Sequence, residues 1–212
     1  MKSTEFKPIM DLALLVADSM IEFAVRGVLG RRASLRIRPV TFSSWTHPER
    51  DPGCRLRAHE FLRPFSSSFS HALVVFDRDG SGSDESREAL ELEVGTRLAA
   101  SGWNDRASVV VIAPELEAWV WSDSPAVPSI LGWESQGADM RDWLTRAGFW
   151  PDGEVKPSEP KAALSAVLRE VRQPHSASLF RELAEQVSLI RCADPAFAKL
   201  RSTLTAWFPA DG

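Results

Sequence analysis

Three short stretches place carboxylates directly after apolar runs: Asp18 in LLVADSM, Asp77 and Asp79 in VVFDRDGSG, and Glu115 and Glu117 in VIAPELEAW. Carboxylates brought together repel one another unless a divalent cation neutralises them, and Mg2+ favours a few carboxylates, water and substrate phosphate. Such a site can lower the pKa of bound water or neutralise charge developing on a phosphodiester. On this reading Asp77, Asp79 and Glu115 hold Mg2+ or Mn2+. Asp77 and Asp79 form the catalytic set with Asp18 or Glu22, either of which can serve as further ligand or general base.

The same acids admit other readings. Asp77, Asp79, Ser81, Ser83, Glu85 and Glu88 fall at positions 1, 3, 5, 7, 9 and 12 of a calcium-binding loop, with Gly82 at the sixth. Against it, a strand rather than a helix leads into the loop, its eighth position is Asp84, and no second loop pairs with it. Asp next to Gly also starts ordinary turns, and Glu115 and Glu117 stand where acids complement a helix N-terminus. Two residues apart on a regular helix, those glutamates cannot both face one cation.

The elements that must position these acids follow from hydrophobic spacing. DLALLVA, residues 11–17, reads as a strand, and Met20, Phe23, Ala24, Val28 and Leu29 after it fall on one helical face. LRIRPVTF, residues 35–42, alternates as a half-buried strand, with Pro39 arguing for a sheet edge. HALVVF, residues 71–76, and ASVVVIA, residues 107–113, are further strands, separated by a helix that ends at Gly102. Pro114 is expected to open a helix over PELEAWVW. Alternating strands and helices with near-continuous apolar strands specify an α/β fold: a mostly parallel four-stranded sheet with flanking helices. In such sheets ligands sit beyond the carboxyl ends of the strands, where all three acidic stretches lie. From residue 136 the pattern is helical throughout, so residues 1–135 are expected to form the α/β domain and 136–212 an all-helical C-terminal extension packed on it.

The 212 residues carry a net charge of -4, divided unevenly: net +4 over residues 1–72, -10 over 73–154 and +2 over the remainder. Arg26, Arg31 and Arg32, with Arg36 and Arg38, are candidate contacts for a nucleic-acid backbone. No apolar run approaches the roughly 20 residues of a membrane span, and MKSTEFKPIM lacks the features of a signal peptide, so a cytoplasmic location away from membranes is expected. Cys54 and Cys192 have no metal-ligand spacing, and neither a P-loop nor a GxGxxG is present.

An acid after the first strand and a DxD after the third resemble the Toprim fold of topoisomerases, primases and OLD-type nucleases. Here the DxD is Asp77-Arg78-Asp79. VADSMIE, HPERDPGC, VVFDRDGSG, PELEAWVW, KPSEPKAAL and VSLIRCADPAFAKL together resemble a family of small proteins encoded in bacterial methylation-associated anti-phage defence systems. The resemblance implies a Toprim-like, Mg-dependent nuclease acting on DNA or RNA beside other proteins of the defence system. It also leaves room for a non-catalytic structural or interaction subunit of a multi-protein complex. Toprim domains place Glu directly after the first strand, where this chain has Ala17, so Asp18 or Glu22 must take its place or the catalytic set is incomplete.

Overall fold

The structure, a computed structural model, describes residues 10–189 and 191–210. Four strands, β1 (Met10–Val16), β2 (Phe42–Thr46), β3 (Phe69–Asp77) and β4 (Ala107–Ile112), form one all-parallel sheet in the order β2-β1-β3-β4. Leu12 to Ala17 are fully buried, as are Leu73 to Phe76, which is what a sheet covered on both faces requires of its central strands. Each such Leu or Val removed from water contributes about 1.5–3 kcal/mol.

The chain passes from β1 through α1 (Ser19–Gly30) and α2 (Arg32–Leu35) to β2 on one side, then back across β1 through α3 (Arg50–Leu62) to β3 on the other. Right-handed crossovers in opposite directions put α1 on one face and α3 on the opposite face, where α4 (Arg87–Leu98) joins it. The reversal also opens a crevice between β1 and β3 at their carboxyl ends, the place where open α/β sheets bind ligands.

The remaining helices are α5 (Ala126–Ile130), α6 (Met140–Arg146), α7 (Pro160–Glu170), α8 (Ala177–Gln186) and α9 (Pro195–Trp207). They share one continuous hydrophobic core with the sheet. α8 lies along α1 so closely that a Cβ on Gly27 would stand 2.8 Å from Ala184 Cβ and 2.9 Å from the Arg181 carbonyl oxygen. α9 packs on β4, and Glu91 ties α4 to both: its carboxylate accepts the Val111 backbone N–H at 3.1 Å and Lys199 Nζ at 2.8 Å. Among the described residues no helix is long and apolar enough to cross a membrane.

Two expected elements are corrected. The strand expected over 35–42 begins only at Phe42: Arg36 adopts a left-handed backbone, and Ile37 makes a single bridge to Pro209. Pro39 and the demand for burial of Leu35 and Ile37 produce the alternating pattern without a ladder. The helix expected at PELEAWVW is a short 3-10 turn, Leu116–Trp119, entered from an extended Glu115.

Candidate acidic site at the sheet switch point

Asp77 is the last residue of β3, at the carboxyl end of the sheet between β1 and β4. Its Oδ1 is sealed from solvent and has no hydrogen-bond partner. Burial pushes its carboxyl well above the usual carboxylate range, and the charges of Asp51, Glu117 and Asp18 push it further; the Leu116 backbone N–H opposes them without prevailing. Carboxylates from the connections after β1, β2 and β4 thus all bear on the Asp77 carboxyl.

Asp51 was not among the residues singled out from sequence, although it sits within the quoted HPERDPGC. Its Oδ1 accepts the Asp77 backbone N–H at 2.8 Å. Its carboxyl is also raised, first by burial and then by Asp18, with the Asp77 N–H pulling the other way. One close approach fixes it: a Cβ on Gly80 would lie 2.5 Å from Asp51 Oδ2, so the glycine admits a neighbour that alanine would displace. Asp51 lies in the first turn of α3, followed by Pro52, a position where an acid complements the helix N-terminus.

Asp18 caps α1, accepting the Ile21 backbone N–H at 2.9 Å, and its charge helps to raise the carboxyls of Asp51 and Asp77. Glu22 points elsewhere: it accepts from Arg26 at 2.9 Å and from Ser44 Oγ at 2.6 Å. Asp79 is exposed and paired with Arg78 at 3.0 Å. Glu115 takes Lys161 Nζ at 3.0 Å, whereas Glu117, 3% exposed, is the glutamate whose charge raises the Asp77 carboxyl. Its carboxyl is raised by burial, but the hydrogen bond from His175, its own backbone, and the charges of Lys161 and His175 together bring it below the ordinary value. Lys161 is correspondingly raised, chiefly by Glu115.

The structure therefore does not gather Asp77, Asp79 and Glu115, and among the described residues no three His, Cys, Asp or Glu side chains form a ready cation cage. The calcium-loop reading is not realised either: Ser81 Oγ donates to the Arg78 carbonyl, Ser86 caps α4, and Glu88 pairs with Arg87. The donor chemistry at Asp77 still fits one hard cation. Mg2+ is commonly held by one or two carboxylates, with waters and substrate phosphate completing the shell. An unpartnered buried carboxylate oxygen supplies the first of these.

The candidate arginines divide. Arg26 is committed to Glu22 and Ser44, Arg31 donates to the carbonyls of Val187 and Ala184 and so fastens α1 to α8, and Arg32 is exposed. Comparison with known proteins returns no match: no family profile, curated relative or solved structure corresponds to this chain.

Proposed function

We propose that this chain is a component of a bacterial anti-phage defence system that binds Mg2+ or Mn2+ at the Asp77 pocket and acts on the phosphodiester backbone of DNA or RNA. The observation that carries the reading is the sealed, unpartnered Asp77 Oδ1, ringed by Asp51, Glu117 and Asp18 at the switch point of a parallel sheet. The Toprim-like order of motifs agrees with it. Asp77 would hold the cation with Asp51 or Glu117, and the cation would neutralise charge on the phosphate. The chain's own contribution is positioning: the Asp51–Asp77 hydrogen bond fixes the end of β3, and Lys161 brings positive charge to the pocket's acidic rim. Asp77→Asn is expected to abolish Mg2+- or Mn2+-dependent cleavage of DNA or RNA. Full cleavage by that variant excludes the role.

A specific observation favours a second reading, a non-catalytic subunit. Ala17 is fully buried where Toprim domains carry Glu, and Glu22 is engaged elsewhere. Trp121 and Trp150 are buried and offer no docking surface. Leu56 on α3 and Leu92 on α4, 45% and 72% exposed on adjoining helices, are better placed. On this reading Leu92→Glu releases a partner protein while Asp77→Asn leaves phage protection intact.

A further inference from the structure

Glu117 is held in the pocket from outside the sheet. His175 lies in the loop between α7 and α8, next to Ser176, which caps α8. Its Nε2 stands 3.2 Å from Glu117 Oε1, and its ring meets Phe180, one turn into α8, edge-on at 5.3 Å. Phe180 is itself buried, so the imidazole is fixed from two directions. The other cation nearby, Lys161, is drawn to Glu115. The two acids of PELEAW are thereby sorted: one is tied to a half-exposed lysine at the rim, and the other is buried, paired with the His175 Nε2, and close enough to Asp77 to raise its carboxyl.

We infer that His175 is a positioning residue of the acidic site, donating its Nε2–H to Glu117 so that this carboxylate is aimed at the cation that Asp77 holds. The helical extension is then part of the site, because the residue that orients one of its four carboxylates comes from the α7–α8 loop. The inference rests on the cation reading of the Asp77 pocket. Groups that orient a metal-facing ligand typically change metal affinity by about ten- to a hundredfold when removed.

Isothermal titration of the full chain with Mn2+ tests it. His175→Ala is expected to weaken binding by about ten- to a hundredfold, and His175→Gln, which retains a side-chain N–H donor, to stay within about threefold of wild type. If His175 acts only through Glu117, the double variant His175→Ala, Glu117→Gln binds no more weakly than Glu117→Gln alone. Should His175→Ala fail to fold, His175→Gln and Glu117→Gln carry the test, with binding retained in the first and weakened in the second. Equal binding by wild type and His175→Ala overturns the positioning role alone. Equal binding by wild type and Asp77→Asn, or no binding by wild type, overturns the cation reading and the positioning role with it.

Discussion

Asp51 Oδ1 accepts the backbone N–H of Asp77 at 2.8 Å, while Asp51 Oδ2 fills the space a side chain on Gly80 would need. The acid after β2 is thus wedged between the end of β3 and the turn that follows it. Gly80→Ala forces Asp51 or the 79–81 turn to move, because the new Cβ would meet Oδ2 at 2.5 Å. Overpacking of this kind costs about 1–3 kcal/mol. Urea denaturation of Gly80→Ala should show a loss in that range together with weaker Mn2+ binding. Wild-type values for both would mean that the contact constrains nothing.

Asp77 destabilises the cation-free fold as pH rises. Its folded pKa lies above the ordinary 3.8, so below about pH 4 folded and unfolded chains are both protonated and no penalty exists. Above that pH the unfolded chain ionises while the folded chain holds its proton, and stability falls until the raised folded value is passed. Asp77→Asn removes this dependence. It is expected to be more stable than wild type by roughly 1–3 kcal/mol at pH 7 without metal, and near parity at pH 4. Denaturation curves at the two pH values measure it, and a variant less stable than wild type at pH 7 contradicts it.

At the other end of the sheet the sign reverses. Asp11 accepts from Arg38 at 2.6 and 3.0 Å and from Thr41 N and Oγ1, each at 2.8 Å, which lowers its carboxyl from 3.8 to about 2, the Arg38 hydrogen bond being the largest cause. Its stabilisation is full above about pH 5 and is lost as pH falls through about 2. Allowing for solvent screening of the partly exposed Arg38, Asp11→Asn should cost about 1–2 kcal/mol at pH 7 and nothing near pH 2. A pH-independent deficit would show that packing, rather than charge, is what the substitution removes.

Much of the frame was legible in the chain. LALLV, ALVVF and SVVVI lack polar interruption, which in a strand means burial on both faces, and the helical pattern expected from residue 136 onward is realised in α6 to α9. β2 was obscured because FSSWT is an edge strand of intermediate burial, with serines where the pattern wants apolar residues. The site was legible by location and not by membership. Asp18 and Asp77 follow from strand ends and the switch point, but Asp51 required knowing that Gly80 leaves room for its carboxylate. That Glu117 rather than Glu115 turns inward depends on Lys161 and His175, which lie more than forty residues further along the chain.

The seating of α8 against α1, pinned by Arg31 to a carbonyl 153 residues away, bears on how the protein is made. During synthesis the apolar flank of α1 emerges long before its cover exists. The first sheet strands must therefore wait, partly bare, until the ribosome has released residue 186. Holding factors that shield nascent apolar surface should engage the chain once α1 has emerged and let go only after α8 has followed it.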